Sequence, residues 1–220
     1  TGPTGAGKTT TLYACLRKIN TIDSKLLTAE DPVEYDMDGI VQVPANESVG
    51  VTFAKILRAF LRQDPDIIMV GEIRDLETAS ISVKAVQTGH MVMSTLHTNS
   101  APETLTRLRN MGVAAFNLAT SVNLIVAQRL GRRLCGCKEK LEVPDSALLE
   151  AGFTAAQLAE PFEVFGPKGC EKCSAGYKGR VGIYETMKVT PEIRKIIMED
   201  GNALQIAEVS AREGFGTIYE

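Results

Sequence analysis

Apolar residues fall along this chain in two patterns, short unbroken runs and runs at helical spacing. Leu26-Leu27-Thr28-Ala29 and Ile67-Ile68-Met69-Val70 are unbroken. Runs of this length suit strands buried on both faces. Gly89 to Asn99 reads as a further central strand that passes into a polar loop. From Thr52 to Arg62 the apolar positions Phe53, Ile56, Leu57, Phe60 and Leu61 recur at i, i+3, i+4, i+7 and i+8. That spacing predicts an amphipathic helix with Thr52 as its N-cap. Helices are also expected at 76–86, capped through Asp75, and at 102–110, 116–129, 191–199 and 203–212, with a short strand at 179–185. Thr190 caps the fourth of these, and Pro191 suits its first turn.

Composition narrows the class. A chain of 220 residues, 44% hydrophobic and 23% charged, can bury a substantial core, as one large domain or one domain with a small appendage. Aromatic residues make up 5% and Trp is absent, so that core is mainly aliphatic. A net charge of −3 and a pI near 5.6 argue against an electrostatic grip on nucleic acid or on an anionic membrane. No apolar run approaches the roughly 20 residues that span a bilayer, and no signal-peptide pattern is present.

Candidate chemistry begins at the first residues. Gly2-Pro3-Thr4-Gly5-Ala6-Gly7-Lys8-Thr9 fits the phosphate-binding pattern G-x-x-x-x-G-K-[ST]. The glycines let successive main-chain N–H groups turn inward as a nest for the α- and β-phosphates of a nucleotide. Lys8 is placed to reach the β- and γ-phosphates and the Thr9 hydroxyl to ligate Mg²⁺. The helix that starts near Lys8, with Thr10 in its first turn, points its positive end at the anion. Such a loop normally follows a buried strand, so the chain is expected to be a fragment whose first strand lies N-terminal to Thr1.

Three acids, Glu30, Asp31 and Glu34, follow the first apolar run, with Pro32 ending the strand. At the carboxyl end of a strand in an α/β sheet they face the ligand crevice, where a carboxylate can activate water or hold Mg²⁺ through water. A solvated polar loop would carry the same residues. Arg58 and Arg62, four apart, share a helix face. They form either a solvated basic edge or arginines donated to a phosphate, in cis or across a subunit boundary. Gly71-Glu72 ends the second unbroken run, which is the placement of a Walker B acid, with Glu where Asp is usual. Both histidines of the chain, His90 and His97, bracket the strand of 89–99 and suggest a γ-phosphate sensor.

Five cysteines, an odd number unevenly spread, point to metal before disulfides. Cys135-Gly136-Cys137 and Cys170-Glu171-Lys172-Cys173 form a C-x-C…C-x₂-C set that matches a closed tetrahedral Zn²⁺ site, with Gly169 and Gly176 supplying turns. Free buried thiols are the alternative, and the first pair is one residue shorter than the common spacing. Cys15, on the helix after the phosphate loop, is expected in the core.

In their order these blocks resemble the secretion ATPase superfamily, and within it the type II secretion and type IV pilus assembly ATPases. The matching stretches are residues 2–9, residues 30–34 (the family's Asp box), residues 66–75 with G-E-I-R-D, and residues 88–99 with T-G-H-x-V-x-S-T-L-H-T-N (its His box). The resemblance implies an α/β fold, a RecA-like P-loop core at 1–134, a cysteine-rich zinc-binding insertion at 135–176, and a strand with helices at 177–220. It implies a hexameric ATPase motor using ATP, Mg²⁺ and structural Zn²⁺, at the cytoplasmic face of the bacterial inner membrane. There it turns a platform protein that adds pilins to a fibre, and no nucleic-acid partner is expected. By the same resemblance Glu34 activates water, Glu72 binds Mg²⁺, and Glu30 belongs to the nucleotide site. Arg58 and Arg62 reach a neighbouring subunit's nucleotide, and His90 and His97 are the His-box histidines. The cysteines and the stretch 117–130 look more like pilus assembly than secretion. A secretion ATPase or a nucleotide-gated binding module are the alternatives.

Overall fold

A computed structural model describes residues 1–219. In chain order the elements are α1 (Lys8–Ile19), β1 (Leu26–Glu30), β2 (Ile40–Pro44), a 3-10 turn at Glu47–Val49, α2 (Phe53–Phe60), β3 (Ile67–Val70), α3 (Leu76–Gln87) and β4 (Met91–Ser94). There follow α4 (Ala101–Asn110), α5 (Ala115–Ser121), β5 (Leu124–Leu134), β6 (Glu139–Leu141), α6 (Asp145–Glu150), α7 (Ala155–Leu158), β7 (Val164–Gly166), β8 (Tyr177–Lys188), α8 (Pro191–Met198) and α9 (Ala203–Arg212). The chain divides into two compact units, one of residues 1–129 with the segment from Ile183 onward, the other Leu130–Gly182. The second unit is thus wider than the 135–176 stretch marked by composition, because it takes in parts of β5 and β8.

The first unit is a four-stranded parallel sheet in the order β2-β1-β3-β4. β1 and β3 are buried at every position, as unbroken apolar runs require of strands covered on both faces. Beyond β4 the chain start extends the array. Gly2 N–H donates to Leu96 O at 3.3 Å, while Thr1 O accepts from Gln128 N–H at 2.9 Å. Residues 1 and 2 therefore lie between the end of β4 and β5. One buried cluster packs α2 and α3 on β1 and β3 through Phe53, Leu57, Phe60, Ile68 and Ile81. Another joins α4, α5, α8 and α9 through Leu105, Leu118, Ile193, Ile197 and Ile206. The expected caps form: Thr52, Asp75 and Thr190 accept from the N–H groups of Lys55, Thr78 and Ile193.

Two expectations are corrected, and one strand is added. The helix expected over 116–129 stops at Ser121, and β5 begins at Leu124. Ile125 and Ala127 are buried while Leu124 is exposed, and the main chain from Val126 to Gln128 bonds to Thr1. Pairing with the chain start overrides a helical reading of the sequence. β2 was unmarked because its mixed burial leaves no clean apolar run. Cys15 is exposed, since α1 buries Tyr13 and Leu16 instead.

In the second unit β6 and β7 pair antiparallel, and Phe153 stacks on Phe162 with centroids 5.5 Å apart. Among its described apolar residues only Cys135 and Leu148 are buried. The division between a well-filled unit and a thin one is the main architectural fact about this chain.

Candidate functional site

A cleft of about 570 Å³ opens at the carboxyl ends of the parallel strands, where ligands sit in open α/β sheets. Residues 4–10 form one wall, and Glu30, Asp31, Glu34, Glu72, Thr95 and His97 line the remainder. The local chain explains the wall. Gly7 adopts φ 82° at the N-cap of α1, which turns the loop into the helix without Cβ strain. Gly2, with φ 150°, sits so close to β5 that a Cβ would meet Gln128 O at 2.6 Å. Lys8 Nζ donates to Gly2 O at 2.8 Å and Pro3 O at 3.0 Å, folding its ammonium over the loop. Burial lowers its pKa, with Glu72 acting in the opposite sense.

Glu72 follows β3 and faces Lys8 across the cleft. Its Oε1 accepts from Arg74 at 2.5 Å, and its Oε2 lies 3.7 Å from His97 Nε2. The Arg74 hydrogen bond holds this carboxyl below its usual range although burial opposes the shift. Arg74 also lies 3.9 Å from Asp31. It therefore ties the two acidic loops together, although nothing local within G-E-I-R-D singles it out. Thr95 Oγ1 donates to Gly71 O at 2.6 Å and fixes the end of β3 against the end of β4.

Glu34 is exposed and lines the cleft. Glu30, by contrast, is only 2% exposed. Its Oε1 accepts from Thr28 Oγ1 at 2.5 Å and from Gln42 Nε2 at 3.0 Å, and its Oε2 from the Tyr13 hydroxyl. These partners occupy both carboxylate oxygens of Glu30, which borders the cleft while almost wholly buried. His90 is not brought to the cleft. It precedes β4, at the opposite end from His97, with Nδ1 2.9 Å from Ala85 O and 3.1 Å from Thr88 Oγ1 at the end of α3. Arg58, on the last turn of α2, pairs with Glu77 at 2.5 Å, and both side chains are more than half exposed. Arg62 lies just past that helix, is exposed, and like Arg58 is absent from the cleft walls.

Two residues behind the loop escaped the sequence. Gln128, 3% exposed, donates from Nε2 to Ala6 O at 2.6 Å. Its neighbour Arg129 donates to Asn99 O at 2.8 Å. Both sit 122 or fewer positions from partners that only the fold brings close, so no local signal marked them.

In the other unit the four ligating atoms of Cys135, Cys137, Cys170 and Cys173 all lie within 4.8 Å of one another. The Sγ separations are 3.9 Å for 135–170, 3.8 Å for 137–173 and 3.6 Å for 170–173. A tetrahedral ion with Zn–S near 2.3 Å sets its sulfurs about 3.8 Å apart. The short C-x-C pair therefore does not prevent a fit, and the cluster is compatible with a metal site. A Cys137 main-chain hydrogen bond draws the Cys135 thiol down to about 7, whereas burial pushes Cys137 up to about 12.

The chain is similar to known proteins. A family model described as "Type II/IV secretion system protein" matches residues 1–220. The "Type IV pilus assembly ATPase PilB" of Acinetobacter baylyi is 66% identical over 220 residues, covering 99% of this chain and 38% of that protein. The "Type II secretion system protein E" of Aeromonas hydrophila is 50% identical over 208 residues, covering 94% of this chain and 41% of that protein. The chain thus spans about two fifths of the length of these curated relatives. Among solved structures, the pilus retraction motor PilT with bound ADP superposes with a TM-score of 0.67 at 30% identity, over 97% of this chain and 52% of that one. The family model matches the whole chain, and the chain belongs to the type II/IV secretion system protein family, with the type IV pilus assembly and type II secretion ATPases.

Proposed function

We propose that this chain is the motor part of an ATP-hydrolysing machine that drives type IV pilus extension. The observation that carries this reading is the placement of Glu72, ionised and clasped by Arg74, across one cleft from Lys8. A phosphate loop facing an acid at a strand end is an arrangement for nucleotide phosphates and Mg²⁺. Residues 2–10 hold ATP, and Thr9 and Glu72 hold Mg²⁺, which neutralises charge developing on the transferred phosphoryl group. Glu34 orients and deprotonates the attacking water, and His97 senses the γ-phosphate from beside Glu72. Arg58 and Arg62, which do not line their own cleft, serve a neighbouring subunit's nucleotide in a homo-hexamer. Cys135, Cys137, Cys170 and Cys173 hold structural Zn²⁺.

The motor acts on an inner-membrane platform protein, to which it docks from the cytoplasmic side. No helix among the described residues is long and apolar enough to cross a membrane. The pilus branch is favoured because the pilus assembly relatives from Acinetobacter baylyi and Pseudomonas aeruginosa reach 66% and 62% identity, against 50% for the Aeromonas secretion protein. The test is Lys8→Ala in the chromosomal gene, scored by sheared surface pilin and secreted protein together. Loss of pilin with secretion intact is expected. The reverse result assigns the chain to type II secretion, and no change in either overturns the motor reading.

A further inference from the structure

Tyr13 sits in the second turn of α1, five positions beyond Lys8, and is 1% exposed. Hydroxyls buried to this degree keep their polar atoms paired. Besides a 3.4 Å contact in which Gln42 Nε2 on β2 donates to it, this one is paired with groups at the ends of the loop that carries Glu34. It donates to Glu30 Oε2, at the start of that loop, and accepts from the Glu34 N–H at 3.1 Å. Its ring meets Tyr35 edge-on, with centroids 4.6 Å apart and an interplanar angle of 79°. Arg17, one turn further along the same helix, covers the other side of the Tyr35 ring at 5.3 Å. Glu30 at the end of β1, the Glu34 main-chain nitrogen and the Tyr35 ring therefore all meet one side chain of the phosphate-loop helix. Gln42 on β2 completes the anchor, giving Nε2 to Glu30 Oε1 at 3.0 Å while its Oε1 accepts from Met37 N–H at 2.7 Å.

We infer that Tyr13 is the positioning residue for Glu34, fixing its loop to the phosphate-loop helix so that the Glu34 carboxylate is set relative to the bound γ-phosphate. The inference rests on the reading of Glu34 as the group that activates water. Its logic is geometric. Lys8 and Thr9 fix the phosphates to the first turn of α1, and Tyr13 fixes the base to the second turn of the same helix. One rigid element then holds both reactants, and correct placement of an attacking group contributes heavily to rate. Glu30 gains its role here too: it is the acceptor that orients the hydroxyl, so that its lone pairs face the Glu34 N–H. Burial, reinforced by Glu30, raises the Tyr13 pKa to about 12, so the hydroxyl keeps its proton throughout the neutral range.

The test is Tyr13→Phe in the full-length protein, alone and combined with Glu34→Gln, with kcat, KM for ATP and thermal midpoint measured for each. The substitution keeps the buried ring and its edge contact with Tyr35. The expected result is a kcat at least about 10-fold lower with KM within about 3-fold of wild type, a size typical of a misplaced catalytic group. On the Glu34→Gln background the same change is expected to lower kcat no further, because Tyr13 acts through Glu34. Unchanged kcat in Tyr13→Phe, or an equal loss on both backgrounds, overturns the inference. Near-wild-type turnover in Glu34→Gln instead overturns the reading of Glu34 itself, so the two failures are told apart. Should Tyr13→Phe prove unstable, Glu30→Gln on the same two backgrounds reads the same coupling, with the same outcomes deciding.

Discussion

The two units of this chain are held together by different physics. The unit of residues 1–129 and 183 onward buries fully, among others, Tyr13, Leu16, Leu57, Ile68, Leu105, Met187 and Ile197. At roughly 1.5–3 kcal/mol for each large side chain buried, such a core sustains itself without ligands. The unit of Leu130–Gly182 buries Leu148 and Cys135 and, among described residues, no other apolar side chain. A segment this poor in core would gain most from a cross-link, and the clustered thiols of Cys135, Cys137, Cys170 and Cys173 are compatible with a metal site that would supply one. The contrast is between a site that its fold positions and a fold that a metal at the four cysteines would help to position.

The largest test of that contrast is removal of metal. Apparent binding energies of structural zinc sites are about 10–16 kcal/mol, far more than this thin unit can otherwise supply. Chelation is expected to abolish amide protection across 130–182 in hydrogen exchange and leave protection of β1 and β3 unchanged. About one zinc per chain by elemental analysis is the accompanying expectation. Retained protection of 130–182 after complete metal removal would show that packing alone holds the unit.

Lys8→Ala probes the opposite case, a site whose loss should leave its fold intact. Nucleotide binding should fail and turnover fall about 10²–10³-fold, as for loss of one preorganised donor to developing charge. The thermal midpoint of the apo protein should hardly move, because Lys8 Nζ makes only two bonds to its own loop. Zinc content should be unaffected. A large fall in stability would mean that the loop is built around the lysine and not around phosphate.

A smaller effect is expected from Arg74→Gln. Glu72 has a folded pKa below the ordinary carboxyl value of 4.5, chiefly through its hydrogen bond from Arg74. A depressed carboxyl pKa contributes stability above the unfolded pKa and loses it as pH falls through the folded one. The wild-type clasp is therefore intact down to about pH 4.5, and its contribution fades only below that. In Arg74→Gln the Glu72 pKa should rise, moving the acid limb of turnover toward neutral pH. An unmoved limb would remove Arg74 from the tuning of Glu72.

Contiguous signals made most of the site legible. The phosphate loop, the unbroken runs of β1 and β3 and the acids at their ends are local in sequence, and their placement follows from strand direction. Partnerships between distant segments were not legible. Gln128 and Ala6 are 122 positions apart, and nothing in A-Q-R-L announces a brace for the loop. The same distant pairing with Thr1 turned the expected helix after Ser121 into β5. Glu30 and Glu34 look alike in sequence, four positions apart, but Glu30 is the last residue of the fully buried β1 while Glu34 lies in the exposed loop beyond it.

The two histidines offer the finest version of the comparison, since they bracket one strand. His97 lies past the carboxyl end of β4, 3.7 Å from Glu72 and about half exposed to the cleft. His90 lies before the amino end and serves the last turn of α3, where carbonyls lack helical partners. His97→Ala should lower kcat with little change in thermal midpoint, as expected for a group beside the reacting phosphate. His90→Ala should do the reverse, costing about 1 kcal/mol of stability for a lost side-chain hydrogen bond while kcat stays within about 2-fold. If His90→Ala instead lowers kcat as far as His97→Ala at equal stability, the strand transmits the state of the cleft to its far end, and His90 reads it there.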